Sequence, residues 1–152
     1  MPATYSYPRP AVTVDAIVFR KVEKTLEVLL IQRRKEPFAG LWAFPGGFVD
    51  ENEDPAAAVT RELAEETGIA PPTWQQLGFW GQPGRDPRGH TISLVYWGLL
   101  ANSNTIPTAA DDASDARWFQ IDHLPPLAFD HENIFDFAIC SLEKIGENTE
   151  RP

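Results

Sequence analysis

Glu62, Glu65 and Glu66 lie in one acidic, alanine-rich stretch, PAAAVTRELAEET, between Asp54 and Gly68. Residues of an α-helix advance by about 100° each, so the three carboxylates fall within roughly a 100° sector of one face. Like charges three and four residues apart cost an isolated helix about a few tenths of a kcal/mol per pair, so a cation is needed to offset them. Carboxylate oxygens with no Cys or His in the segment suit a hard divalent ion, Mg²⁺ or Mn²⁺. An acidic helix by itself is ordinarily a solvated face, so the chemistry depends on what surrounds these glutamates.

The helix that must carry them has its ends written in the chain. Asp54 can accept from the free amides of the first turn, Pro55 loses nothing at the first helical position, and Gly68 supplies the stop. Upstream, Gly46, Gly47 and Glu53 sit in a loop. Gly47, Glu53, Arg61, Glu62, Leu63, Glu65, Glu66, Gly68 and Ile69 fill every defined position of G-x5-E-x7-R-E-U-x-E-E-x-G-U, with U aliphatic. The segment resembles a Nudix box. That resemblance implies that Glu62, Glu65 and Glu66 are metal ligands, that Glu65 and Glu66 thereby serve catalysis, and that Gly46 lends its carbonyl. It also implies that Glu53 and Arg61, with Gly47, hold the loop on the helix.

The chain of 152 residues is most simply read as one domain, with residues 1–10, rich in Pro and Tyr, as an extended arm. Twenty-two acidic against 13 basic residues give a net charge of −9. Such a balance argues against broad attraction to nucleic acid or to an anionic membrane, so a phosphate substrate must be met by metal or by a local basic cluster. The single cysteine, Cys140, excludes an internal disulfide, and neither a signal-type segment nor a membrane-length apolar run is found. A cytoplasmic protein is expected.

VTVDAIVFR (12–20) and LEVLLIQ (26–32) read as paired strands, interrupted by Asp15, which suits an exposed position, a satisfied buried carboxylate or a family-specific contact. Arg33, with Arg34 and Lys35, closes the second strand, where a guanidinium can fork onto phosphate oxygens. In the following LWAFPGG, Trp42 and Phe44 alternate, and Phe44 is a candidate for stacking on a nucleobase although such aromatics are more often core. Residues 71–90 suggest two strand fragments broken by turns, and TISLVYWGLLA (91–101) one strand. Between them Arg85, Asp86, Arg88 and His90 project from a Gly/Pro loop that a scaffold could aim at a ligand. A polar loop carrying Asp111, Asp112 and Asp115 leads to a strand with Trp118 and Phe119. Asp130 suits an N-cap and His131 a helix start or substrate contact. The closing helix has Ile134, Phe137, Ala138, Ser141, Leu142 and Ile145 at near-helical spacing, with Cys140 expected buried and inert.

This order of elements suits an α/β fold, and the resemblance implies the Nudix-type α/β/α sandwich with a mixed β-sheet. GRDPRGH, Pro83 and LAFDH are similar to the ADP-ribose pyrophosphatase branch of that family, in which an acidic loop residue positions or deprotonates the attacking water. Asp112 is taken as that residue, with Asp111 and Asp115 as alternatives. Arg33, Phe44, Arg85, Asp86, Arg88 and His131 are then substrate contacts. The implied reaction is metal-dependent hydrolysis of ADP-ribose, or another nucleoside diphosphate linked to a second group, to two monophosphates. The box fits a nucleoside triphosphate or dinucleotide substrate equally, and a non-catalytic ADP-ribose sensor is a third reading, ranked lower because every box carboxylate is present. Family precedent and the arm favour a homodimer.

Overall fold

The computed structural model describes residues 4–101 and 104–150, with residues 145–150 described by their backbone alone. Residues 1–3 of the expected arm and the side chain of Ile145 lie outside the described residues. The first two strands, β1 (Ala11–Val22) and β2 (Thr25–Arg33), pair antiparallel, but only from Phe19↔Val28 to Val22↔Thr25. Beyond that point they part. The next segment fills the fork, β3 (Trp42–Ala43) bonding to β2 and β4 (Gly46–Phe48) bonding to β1. LWAFPGG is therefore two short strands joined by Phe44 and Pro45.

After β4 come α1 (Pro55–Thr67), β5 (Gln75–Trp80), β6 (Thr91–Leu99), β7 (Ala113–Gln120) and α2 (His131–Glu150). β6 runs parallel to β1 from Ala11↔Thr91 to Phe19↔Leu99, whereas β5, β7 and the first four strands pair antiparallel, which makes the sheet mixed. Its main order is β3-β2-β1-β6-β5, with β7 on the far side of β2.

The middle of β1 is buried on both faces. Val14, Ala16 and Val18 pack with Ala58, Val59 and Leu63 of α1, while Ile17 and Phe19 pack with Ile134, Phe135 and Ala138 of α2. A strand covered on both sides reads as a continuous apolar run, and each fully buried Val, Ile or Phe contributes about 1.5–3 kcal/mol. The result is the expected α/β/α sandwich.

Helix α1 begins and ends at the expected caps. The Asp54 carboxylate accepts from the Ala56 amide at 2.9 Å, and Gly68, at φ 71°, returns its amide to the Ala64 carbonyl. Only glycine holds that left-handed position without strain. Elsewhere the structure corrects the sequence. Residues 75–80 form one strand with a bulge at Gln76/Gly78, rather than two fragments. In α2, Phe135 takes the core place expected of Phe137, which is half exposed, and Cys140 is exposed rather than buried. At 100° per residue Phe135 flanks the Ile134, Ala138 and Leu142 stripe, and Cys140 falls on the opposite side. The Asp130 carboxylate is committed to Arg85 instead of capping the helix.

Candidate active site

A cleft of about 180 Å³ opens at the fork between β1 and β2. Its buried lining includes Asp15, Phe44, Glu66, Asp86 and His131, and Lys35, Phe48 and Arg88 stand at its exposed rim. β1 supplies Asp15, the β3–β4 connection Phe44, α1 Glu66 and the start of α2 His131. Helix and strand thus deliver side chains to one place from both faces of the sheet.

Glu66 is only 5 % exposed and has a single hydrogen-bond donor among the described residues, the Gly46 amide at 2.7 Å. Burial pushes its carboxyl up to about 8, with Glu62, Asp15 and Asp112 adding to the shift and the Gly46 amide opposing it. Glu62 is also raised, again by burial, with Arg61 opposing. Arg61 is the hub of the box. It forks onto Glu53 through Nε at 2.7 Å and Nη2 at 2.9 Å, and donates from Nη2 to the Phe48 carbonyl at 3.1 Å. Its Nη1 reaches Glu62 at 2.9 Å and Glu65 at 3.1 Å. The bond to Arg61 and the amide of Asp50 hold Glu53 down at about 2. One guanidinium therefore ties the loop after β4 to the face of α1.

The two glycines of the loop meet different neighbours. A Cβ at Gly46 would run into the Val14 carbonyl oxygen, so glycine there lets β4 lie on β1. A Cβ at Gly47 would stand 2.5 Å from Glu62 Oε1 and 2.6 Å from its carboxyl carbon. The glycine is a cradle for the Glu62 carboxylate, which is the movable end of a side chain. Gly47→Ala is expected to fold with little change in melting temperature but to weaken divalent-metal binding by about tenfold, by pushing Glu62 aside. Metal titration followed by calorimetry checks this, and unchanged affinity would remove Gly47 from the site.

Among the described residues, no three Asp, Glu, His or Cys side chains stand gathered as a metal-holding group. The reason is visible in Arg61, which draws Glu62 and Glu65 to itself. The donor set nevertheless fits a hard divalent cation: all its atoms are oxygens, and Glu66 is a buried carboxylate with no salt bridge among the described residues. Glu65, at 44 % side-chain exposure, is free to turn from Arg61 toward such an ion.

The other candidates are distributed unevenly. Of the three loop carboxylates only Asp112 lines the cleft, largely exposed and 3.4 Å from Lys35. Asp115 pairs with Arg117, and Asp111 occupies a turn at φ 53°. Arg33 lines the cleft above the Phe129 ring; its Nε donates to the Pro37 carbonyl at 2.7 Å, and its terminal nitrogens carry no hydrogen bond to described residues. Arg85 forks onto Asp130 at 2.7 and 2.9 Å and so ties the loop to the start of α2, and Arg88 forks onto Asp86 at 2.8 and 3.1 Å within the loop. Burial works against the charge on Arg85, and the fork onto Asp130 more than offsets it. His90 does not line the cleft and bonds the Gly81 carbonyl.

Phe44 is 2 % exposed and stacked on His131 with centroids 4.8 Å apart, which leaves neither face of the pair open as a shelf. The aromatic surface at the rim belongs to Phe48, 44 % exposed with the Arg88 guanidinium 5.0 Å from its ring centre. His131 accepts the Phe44 amide on Nδ1 at 3.2 Å, so its proton sits on Nε2; burial holds the ring below its usual titration range. Sequence reasoning passed over Phe48 because it lies among the undefined box positions, and Ser93 because a serine in a strand carries no signal of its own.

A family model described as NUDIX domain matches residues 9–137. The ADP-ribose pyrophosphatase of Methanocaldococcus jannaschii is 47% identical over 128 residues, which cover 84% of this chain and 72% of that protein. The ADPR responsive transcriptional repressor NtrR of Acinetobacter baylyi is 34% identical over 150 residues, 96% of this chain but only 60% of the repressor's length. Among solved structures, the NUDIX domain of Shewanella oneidensis NrtR complexed with ADP ribose superposes with a TM-score of 0.84 at 36% identity, covering 90% of this chain and 91% of that one.

Proposed function

The chain belongs to the Nudix family, and from that premise we propose that it is a pyrophosphohydrolase that converts ADP-ribose and water to AMP and ribose 5-phosphate. The observation that carries this reading is Glu66, a buried carboxylate beside Glu62 in a cleft that also holds Arg33. Glu62, Glu65, Glu66 and the Gly46 carbonyl would hold a divalent ion, which would supply charge to offset the diphosphate and to acidify a water. Mg²⁺ and Mn²⁺ both suit these oxygens. The terminal nitrogens of Arg33 meet the diphosphate oxygens. Asp112, at the cleft edge, orients the water or takes its proton as the water attacks one phosphorus. The bridging oxygen then departs with the other phosphate, leaving one phosphate on each product. Arg88 and Phe48 at the rim offer the nucleobase a cationic and aromatic surface, while Arg85 and Asp86 keep that loop in place.

The resemblance to the ADPR responsive repressor supports a second reading, ligand sensing without turnover. Retention of Glu53, Arg61, Glu62, Glu65 and Glu66 favours the enzyme. No helix among the described residues is long and apolar enough to cross a membrane; a cytoplasmic homodimer that binds neither nucleic acid nor membrane remains our expectation. The test is release of monophosphate products from ADP-ribose, sugar nucleotides, dinucleotides and nucleoside triphosphates, with Mg²⁺, Mn²⁺ or chelator. Metal-dependent cleavage favouring ADP-ribose is the expected result. Preference for triphosphates would overturn the substrate, and tight ADP-ribose binding without cleavage would favour the sensor.

A further inference from the structure

The lining of the cleft includes a buried polar group that the reaction above does not use. Asp15 interrupts the apolar run of β1 and is only 8 % exposed. Its Oδ2 accepts from Ser93 Oγ of β6, itself fully buried, and faces Nε2 of His131 at 3.7 Å. Three elements thus fix one carboxylate: β1 carries it, β6 hydrogen-bonds it, and α2 sets the proton-bearing edge of a buried imidazole beside it. Its Oδ1 has no hydrogen-bond donor among the described residues and is not wholly buried, and Asp15 lines the cleft.

A fixed acceptor at the end of a phosphate-binding cleft can recognise only certain parts of a ligand. Diphosphate oxygens are anionic acceptors at neutral pH and are repelled by it. On a nucleoside diphosphate sugar, the donors are the sugar hydroxyls and the base amino group. The amino group belongs to a flat, wide base, which suits the exposed aromatic and cationic surface of Phe48 and Arg88 better than the buried surroundings of Asp15. Asp15 pairs with Gly46 across β1 and β4, and the Gly46 amide donates to Glu66 at 2.7 Å, so a group at Asp15 is a short reach from the phosphates.

Resting on the pyrophosphohydrolase reading, we propose that Asp15, held by Ser93 with His131 alongside, is a specificity-determining residue that accepts hydrogen bonds from the hydroxyls of the terminal ribose. A buried site built to bond a hydroxyl discriminates strongly against a ligand lacking it, because its acceptor is then left unpaired.

The experiment compares wild type, Asp15→Asn and Ser93→Ala on two substrates, ADP-ribose and the methyl ester of ADP, which keeps the adenosine and the diphosphate but lacks the terminal sugar. Asp15→Asn preserves shape and leaves an oxygen for Ser93, but weakens the acceptor. The expected result is a rise in KM for ADP-ribose of about 10- to 100-fold, with kcat little changed and kinetics on methyl-ADP unaffected. Ser93→Ala should show the same pattern more weakly, about three- to tenfold, and guards against a fold defect in the first variant. An equal loss of kcat on both substrates would assign Asp15 to the attacking water and overturn the proposal. An equal rise in KM on both would move it to the adenosine end, and unchanged kinetics would leave it structural; each overturns the proposal as well. Equilibrium binding of the two ligands to the same chains gives the same contrast without turnover. If wild type fails to cleave ADP-ribose, the enzymatic reading falls while the binding contrast still decides the role of Asp15.

Discussion

Glu66→Gln is expected to lower kcat by on the order of 10³-fold with saturating Mg²⁺ or Mn²⁺, while making the metal-free chain more stable than wild type at pH 9. The first effect follows from removing a buried charge from the proposed metal site without altering its shape. The second follows from the direction of its titration. The folded chain holds the Glu66 proton up to about 8, well above the ordinary carboxylate range, because burial disfavours its ionised form. The folded state therefore binds more protons than the unfolded state between those limits, and stability falls with rising pH there. Its contribution is fully present below the unfolded value and is lost as pH climbs through about 8. Glutamine carries no such slope, so the two stability curves should meet near pH 4 to 5 and separate by on the order of a few kcal/mol by pH 9. Added metal reverses the sign for wild type, since it competes with the proton and binds more tightly as pH rises toward 8. Melting curves with chelator and with metal, across that range, measure all of this. Parallel curves for the two chains would mean that Glu66 is not the buried acid of the site.

Arg61→Lys is expected to lower kcat/KM by about 10²-fold and to reduce the melting temperature, although charge is conserved. One guanidinium here meets four acceptors: Glu53 through a two-pronged fork, the Phe48 carbonyl, Glu62 and Glu65. An ammonium is a point charge on a flexible stem and cannot span the fork while also reaching the backbone. The loop from Gly46 to Glu53 then loses its tie to α1, and Glu62 loses the neighbour that orients it. The fork also depresses Glu53 to about 2. Its stabilising contribution is present above the ordinary carboxylate range and is lost as pH falls toward 2, so the lysine variant should unfold at a higher pH on acidification. Wild-type kinetics in the lysine variant would show that charge alone, rather than planar geometry, holds the loop.

The local part of the site was legible because its physics is local. Asp54 and Gly68 cap α1 through atoms a few residues away, and the face shared by Glu62, Glu65 and Glu66 depends only on helical pitch. Glu53 and Arg61 are eight residues apart, within reach once the loop turns back on the helix. In α2 the helix itself was legible but its orientation was not. Spacing pointed Phe137 inward, whereas packing against the sheet selected Phe135.

What the sequence determined by itself was the family, the α/β class, the glutamate-bearing helix and its caps, because those depend on residue type at fixed short spacing. What the tertiary structure decided was which side chains share the cleft. Asp15, Phe44, Glu66 and His131 come from four distant segments, and the parting of β1 and β2 brings them together. The same packing turned Arg85 and Asp86 into internal braces, sealed Phe44 against His131 and left Phe48 at the rim. Asp15 shows the difference most clearly. In the sequence it is one polar residue in an apolar strand, and only the convergence of Ser93 from β6 and His131 from α2 makes it a fixed acceptor, since neighbours 78 and more residues away leave no local mark.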